Sequence, residues 1–274
     1  MSFWILILLA LVQGLTEFLP VSSSGHLVLM YDIFGIQDGT ILLSILLHIA
    51  TLLSVLIYYR KDIIQLIKNP LCPTNRKIIV TTIFTCGIVL IIKPIIDKAF
   101  GGEYLFVFFI ITAILLFVSD YMADKREFLS KTSKFVQSSN IIKSGTDITN
   151  LKVTYKQAII IGITQGFACI PGISRSGSTI AVSRMCGAED NTRYSFLISI
   201  PIIIASFVME IFTTDLNWSG VNIGGLIIAM FVCFGIGLLC IKVMTKIVSA
   251  NKLTIFAYYL IGLSIVLVGL SIFR

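Results

Sequence analysis

Two short stretches of this 274-residue chain hold most of the side chains able to do chemistry. The first, Gln13 to His26, carries Glu17, Ser22, Ser23, Ser24 and His26. The second, Gln165 to Thr179, carries Ser174, Arg175, Ser176, Ser178 and Thr179, with Gly172 and Gly177 among them. Together they supply a carboxylate, an imidazole, a guanidinium and a run of hydroxyls, a set that suits phosphoryl chemistry. Arg175 offers a planar, permanently charged fork for phosphate oxygens. Gly25, Gly172 and Gly177 let backbone N–H groups approach an anion, and a helix beginning in each stretch aims its N-terminus at the same charge. His26 can move a proton near neutral pH. Glu17 can orient His26, act as a base, or hold a divalent cation through oxygen. Ser22, Ser24, Ser174, Ser176 and Thr179 are candidate phosphate contacts, together with Gly172 and Gly177.

Plainer roles compete for the same residues. A Ser-rich break often caps a helix N-terminus. A lone His in an apolar helix is usually a packing residue, and His48, in the middle of an apolar run, fits that description. Gln13 and Gln165 precede the two breaks at equivalent places, so a shared structural role is as well supported as a catalytic one. Glu210, near the end of an apolar run, is expected to reach the interface.

The elements that must position these residues are read from hydropathy. The chain is 57% hydrophobic and 13% charged, with a mean hydropathy of +0.98. Apolar runs near the roughly 20 residues needed to cross a hydrocarbon core recur along it. Full spans are expected at about 39–59, 78–96, 104–122, 191–212, 222–241 and 254–273. Segments 3–34 and 157–188 are apolar but broken by Gly, Ser and Pro exactly where the chemical residues lie. The N-terminal segment lacks a leading Lys or Arg and a small-residue cleavage site, so it is expected to belong to the mature fold. The six cysteines show neither a CxxC pair nor metal-ligand spacing and read as small buried hydrophobes.

Lys and Arg are unevenly distributed. Seventeen of the 21 fall in the connections 60–77, 123–156, 184–195 and 242–252; Lys93, Lys98 and Arg274 fall on the other side, and Arg175 lies in a break. By the positive-inside rule the first four connections are cytoplasmic and both termini face out. That topology closes only if each broken segment enters and leaves on one side, as a re-entrant helix pair. The 123–156 connection, polar and basic, reads as a solvated cytoplasmic linker suited to an anionic leaflet, and nothing in it suggests nucleic-acid recognition.

The two stretches are copies of one another. At an offset of 152, Gln13/Gln165, Gly14/Gly166, Ser22/Ser174, Ser24/Ser176 and Gly25/Gly177 are identical. The same offset superposes the three spans that follow. The reading is an all-α polytopic membrane protein, one domain of residues 1–274. It is made of a first repeat at 1–122, the linker at 123–156 and a second, inverted repeat at 157–274. Each repeat is a re-entrant pair plus three transmembrane helices. Broken helices of inverted repeats meet near the midplane and line a protein-enclosed cavity, so ionisable groups in them default to function.

Soluble-enzyme motifs are missing: there is no GxxxxGK[ST], HExxH or GxSxG. SSSGH has some likeness to the PSGH element of acid-phosphatase-like lipid phosphatases, but that family needs a His after its Ser-Arg pair, and none follows Arg175. The match that covers both motifs is different. Gln13 and Glu17 followed by FLPVSSSGH (Phe18 to His26), and Pro171, Gly172, Ser174, Arg175, Ser176 and Thr179 as PGxSRSxxT, resemble the two signatures of the bacitracin-resistance family of undecaprenyl-diphosphate phosphatases. The spacing and span pattern extend that resemblance over nearly the whole chain. It implies an integral enzyme of the bacterial plasma membrane that converts a polyprenyl diphosphate to its monophosphate, with a site opening to the outer face. It also implies a divalent cation, Mg²⁺ or Ca²⁺, with Glu17 as a metal-ligand candidate, and a homodimer is an allowed assembly. Glu17, His26 and Arg175 become the essential groups, with Ser23 or His26 as nucleophile. Two positions depart from the pattern: Gln13 stands where many members carry Glu, and His48 where a Gln is expected, so both are candidate supporting residues. The rival activity is transport of a polyprenyl phosphate, a flippase built on the same anion-binding groups.

Overall fold

The computed structural model describes residues 2–36, 40–102, 104–134, 147–213, 222–250 and 252–272. Over these residues the chain forms eleven α-helices: α1 (Phe3–Thr16), α2 (Ser23–Ile33), α3 (Thr40–Tyr58), α4 (Arg60–Lys68), α5 (Pro73–Ala99), α6 (Leu105–Lys134), α7 (Tyr155–Phe167), α8 (Arg175–Met185), α9 (Asn191–Thr213), α10 (Ile223–Ser249) and α11 (Thr254–Ile272). Segment 3–34 is broken into α1 and α2, and segment 157–188 into α7 and α8, as the Gly, Ser and Pro content of their centres predicts.

Helices α5, α6, α9 and α10 are long and apolar enough to cross a membrane. Helix α3 joins them if it is counted with α4, into which it bends by 76°. The sixth expected span, at 254–273, corresponds to α11, a shorter apolar helix. Helix α4 falls in a stretch expected to be a plain loop. It carries Arg60, Lys61 and Lys68, buries Leu66 and leaves Ile64 and Ile67 exposed, the character of a helix lying along a membrane surface.

The linker also differs from expectation. Its first part continues α6 to Lys134, and its last part is packed rather than solvated, with Ile148, Leu151 and Val153 buried in the main core. Residues 135–146 lie outside those described.

The broken pairs seat themselves through small residues. Helix α1 packs on α10 and α7 on α5. A Cβ on Gly14 would stand 2.8 Å from the Cys233 carbonyl oxygen, and one on Gly166, its equivalent in the second stretch, 2.5 Å from the Ile88 Cβ. Such close approach is how helices associate where the surrounding lipid is as apolar as they are. Thr81 and Thr85 add hydrogen bonds across α5 and α7, each donating at 3.0 Å to the carbonyls of Ala158 and Gly162.

Polar contacts gather many helix ends at one face. The Lys77 Nζ at the start of α5 donates to the Leu151 carbonyl (2.9 Å), and Asp62 on α4 pairs with Arg193 at the start of α9. Asp120 on α6 pairs with Arg184 at the end of α8 (2.7 Å) and accepts from the Thr254 amide at the start of α11 (2.7 Å). The Lys152 amide donates to Asp190 (2.9 Å) and its ammonium pairs with Glu189 (2.6 Å). The entry to α7 and the exit from α8 therefore meet. Lys93, Asp97 and Phe100 lie at the opposite end of α5.

In a cysteine-free background, Lys152→Cys and Glu189→Cys should be labelled by an impermeant thiol reagent from one side of the membrane and Lys98→Cys from the other. Labelling of Lys152→Cys and Glu189→Cys from different sides would mean that α7 and α8 cross the bilayer as one span.

Candidate active site

Both breaks are built by the same local rule. Each second helix begins with a Ser cap: the Ser22 Oγ accepts from the Gly25 amide (3.4 Å) and the Ser174 Oγ from the Gly177 amide (3.1 Å). These caps satisfy amides that the helix itself leaves unpaired. The breaks then lock together. The Gly172 amide donates to the Ser22 Oγ (3.0 Å), and the Ser176 Oγ donates to the Leu19 carbonyl (3.1 Å). A Cβ on Gly25 would stand 2.9 Å from the Gly172 Cα, and one on Gly177 2.8 Å from the Pro20 Cβ. Only glycine permits that spacing, and it brings Glu17 and Arg175, 158 residues apart in the chain, into contact.

Glu17 is the centre of the arrangement. Its side chain is 2% exposed. One carboxylate oxygen, Oε1, accepts from the Arg175 guanidinium. The other, Oε2, accepts from the Ser23 Oγ at 2.5 Å and from the Gln13 Nε2 at 2.9 Å, with the His48 Nε2 at 3.5 Å. Removing either member of a buried ion pair of this kind costs about 3–5 kcal/mol, because the other charge is left without compensation.

Glu17, Ser22, Ser23, Ser24, His48, Ser174 and Arg175 line a cavity of about 680 Å³. Its apolar wall residues are Val28 of α2, Ile45 and Ile49 of α3, Ile203 and Phe207 of α9, and Phe100 just after α5, and it reaches Lys93 and Asp97 at the end of α5 away from the gathered basic face. A charged floor under apolar walls suits an amphiphile with an anionic head.

Several expected site residues are occupied elsewhere. Gly172, Ser176, Gly177 and Thr179 do not line the cavity. The amides of Gly172 and Gly177 serve Ser22 and Ser174, Ser176 joins the breaks, and the Thr179 Oγ1 donates back to the Arg175 carbonyl (2.9 Å). Ser22 and Ser174 reach the cavity but are committed as caps.

The two histidines exchange the places that the sequence suggested. His26 is buried off the cavity. Its Nδ1 faces the Ser22 carbonyl at 2.7 Å and must carry the proton, which leaves Nε2 to accept from the Tyr259 hydroxyl at 2.8 Å. The two rings stack at 5.8 Å. Ser22 is the one non-glycine residue with positive φ (69°) among those described, a conformation that costs on the order of 1–3 kcal/mol unless its surroundings hold it. His26 holds it by the carbonyl, while Gly25 and Gly172 hold it by the hydroxyl. His48, by contrast, faces the cavity beside Glu17. Nothing in the sequence singled out Tyr259, which lies in an apolar run of α11. Lys93 and Asp97 did carry a signal, as an i,i+4 charge pair at the end of an apolar span.

The residues do not fit a protein-built divalent-cation site. Among the described residues no three His, Cys, Asp or Glu side chains come together. Glu17 is the sole carboxylate of the floor, both its oxygens already accept from protein donors, and Gln13 turns its amide N–H toward it. The Gln13 Oε1 is buried without a hydrogen-bond partner, but so is the Oε1 of Gln165, where no acid stands. That orphan therefore belongs to the repeated packing and does not mark a cation.

Tyr259→Phe should lower turnover about threefold to tenfold, by loosening His26 and through it Ser22, while the protein still inserts and folds. The loss of one neutral hydrogen bond, about 1 kcal/mol, sets that range. Phosphate-release kinetics and thermal unfolding of the purified variant measure the two effects; unaltered turnover would separate His26 from the site's geometry.

The family model described as bacitracin resistance protein BacA matches residues 6–266. An undecaprenyl-diphosphatase of Carboxydothermus hydrogenoformans is 36% identical over 259 residues, which cover 92% of this chain and 91% of that protein. An undecaprenyl-diphosphatase of Treponema denticola is 38% identical over 289 residues, covering 100% of this chain and 98% of that protein. One of Christiangramia forsetii is 33% identical over 277 residues. With the family match running from the first broken helix into α11, and relatives aligned over almost their full lengths, the chain belongs to the bacitracin resistance protein BacA family.

Proposed function

We propose that this protein hydrolyses undecaprenyl diphosphate to the monophosphate in the bacterial plasma membrane, so regenerating a lipid carrier used in cell-wall synthesis and conferring bacitracin resistance. One observation carries the reading. A hydroxyl, Ser23, donates at 2.5 Å to a buried carboxylate, Glu17, whose other oxygen holds Arg175, all on the floor of an apolar-walled cavity. The names of the full-length relatives support the same substrate.

The prenyl tail remains among lipid and apolar wall residues while the diphosphate enters the cavity. The Ser23 Oγ attacks the terminal phosphorus and its proton passes to Glu17, which a free hydroxyl needs in order to be nucleophilic at neutral pH. Arg175 meets the charge that develops on the phosphoryl oxygens, and the bond to the bridging oxygen breaks to release the lipid monophosphate. Water then frees the phosphate from Ser23. Positioning and charge stabilisation do most of the work, as in phosphoryl transfer generally. His26 serves as a positioning residue and Ser23 as the nucleophile, because His26 has both ring nitrogens engaged away from the cavity.

The topology proposed with this activity is a pair of inverted repeats, α1–α6 and α7–α11, each with a re-entrant pair. The excess of Lys and Arg at the face opposite the cavity mouth favours a site open to the outer side. Paired re-entrant breaks are also transporter architecture, so lipid transport is the second reading. Phosphate release by purified protein in detergent, with no second compartment, separates them, and the same assay with and without Mg²⁺ or Ca²⁺ tests the cation requirement.

Arg175→Lys should lose most activity while the protein folds, because Lys lacks the bidentate fork. Ser23→Ala should lose several orders of magnitude, whereas loss of a mere hydrogen bond costs about one to two. A Ser23→Ala protein that keeps a tenth of normal turnover would remove Ser23 as nucleophile.

A further inference from the structure

Helix α4 takes no part in the cavity and presents two kinds of side chain away from the protein. Ile64 and Ile67, three apart on one stripe of the helix, are 50% and 72% exposed, and Leu71, just beyond its end, is 75% exposed. Arg60, Lys61 and Lys68 are exposed on the same helix. Its other side is held by the protein. Leu66 is buried, and the Asp62 carboxylate accepts from Arg193 of α9 at 2.8 and 2.5 Å. The Asn75 Nδ2 donates to the Leu66 carbonyl (2.8 Å) and the Asn69 carbonyl (3.1 Å), which pins the end of α4 to α5. The apolar stripe and its cations therefore have a fixed orientation before anything binds to them.

We propose that α4 is a docking surface for anionic phospholipid, and that lipid seated there supports turnover in the cavity on the far side of the molecule. The side chains select this occupant. A stripe of branched apolar residues set beside cations matches a leaflet that offers acyl chain and negative head group together. Asp62 is taken by Arg193, so Arg60, Lys61 and Lys68 keep no carboxylate partner among the described residues. Water alone leaves the apolar stripe without a partner. A second copy of the chain is a poorer occupant, because a twofold contact through this face sets these cations against their own copies, and like charges so placed cost affinity. The 76° bend after Tyr58 turns α4 across the direction of α3, as lying along a membrane surface requires.

A packed route leads from this surface to the catalytic floor. Tyr59, between α3 and α4, meets Phe196 of α9 with ring centroids 6.0 Å apart, and Phe196 meets Phe18 edge-on at 5.7 Å. Phe18 follows Glu17 in the first break. Arg193, the partner of Asp62, lies three residues before Phe196 on α9, and further along that helix Ile203, Ser206 and Phe207 line the cavity. Tyr59, Phe196 and Phe18 are all buried, and a close-packed interior transmits a shift of α4 to them rather than absorbing it. Lipid that fixes α4 therefore steadies the floor and one wall of the cavity from a distance.

The test uses full-length protein in nanodiscs of phosphatidylcholine with and without phosphatidylglycerol. For docking, a fluorophore on Ile67→Cys in a cysteine-free background reports brominated lipid. Brominated phosphatidylglycerol should quench it more than brominated phosphatidylcholine at equal mole fraction, and combining Arg60→Gln, Lys61→Gln and Lys68→Gln should abolish the difference. For coupling, phosphatidylglycerol should raise turnover of undecaprenyl diphosphate about threefold to fivefold in the wild type. The triple variant should stay at its phosphatidylcholine rate, and the two proteins should be alike in phosphatidylcholine alone. Lys242→Gln with Lys246→Gln removes exposed cations of α10 instead and should keep the response. Equal quenching by the two lipids would overturn the docking. A lipid response that survives in the triple variant, or that the α10 variant loses equally, would overturn the assignment to α4. Selective quenching with no change in turnover would overturn the coupling. Quenching needs no reaction, so inactivity towards prenyl diphosphate would count against the phosphatase reading while the quenching still decides the docking.

Discussion

The contact between Glu17 and Arg175 is the constraint on which the rest of the site depends. A carboxylate 2% exposed among transmembrane helices cannot remain ionised without a partner. Its partner comes from the other half of the chain. Bringing the two together requires both breaks to occupy nearly the same place, and that in turn requires Gly25, Gly172 and Gly177 to let backbone approach backbone. The shared Ser-x-x-Gly caps are part of the same requirement. They satisfy the first amides of α2 and α8 from within the protein.

This economy of polar groups explains why few of the many hydroxyls in the breaks are free for substrate. Ser22 and Ser174 cap helices and Ser176 bridges the breaks. Ser23 alone of the run sits against the Glu17 carboxylate. The same reasoning divides the histidines. His26 has both ring nitrogens committed, to the Ser22 carbonyl and the Tyr259 hydroxyl, and steadies a strained backbone. His48 has one committed nitrogen and one that faces Glu17 in the cavity.

The cavity joins two chemistries that an anionic lipid combines. Its charged floor lies where the breaks meet, and its apolar walls rise on α2, α3, α9, the end of α5 and the α7–α8 loop, toward Lys93 and Asp97. The opposite face is tied by ion pairs, Asp62 of α4 with Arg193 of α9 and Asp120 within α6 with Arg184 of α8. That face holds the helix ends together while the cavity side stays open for a substrate.

The fold's outline was legible in the sequence because bilayer thickness and hydrogen-bond satisfaction impose strong local patterns. Apolar runs marked the long helices, and Gly, Ser and Pro marked the two breaks, whose 152-residue offset exposed the repeat. Glu17, His26 and Arg175 stood out because ionisable residues are costly in such segments, and Ser23 through the family resemblance. What the sequence could not decide is where each side chain points. Ser and Gly at a break read the same whether they cap a helix or bind phosphate, and only the packing of the two breaks shows that Gly172, Ser176 and Gly177 lie against the other break. His26, beside the Ser run, looked the more chemical histidine, and His48, in an apolar run, the more structural. Their exchange was decided by a residue 233 positions from His26, Tyr259, and by the rotation of α3 that turns His48 to Glu17. Such contacts between distant segments leave no periodic trace in the chain, so they exist only once the helices are packed.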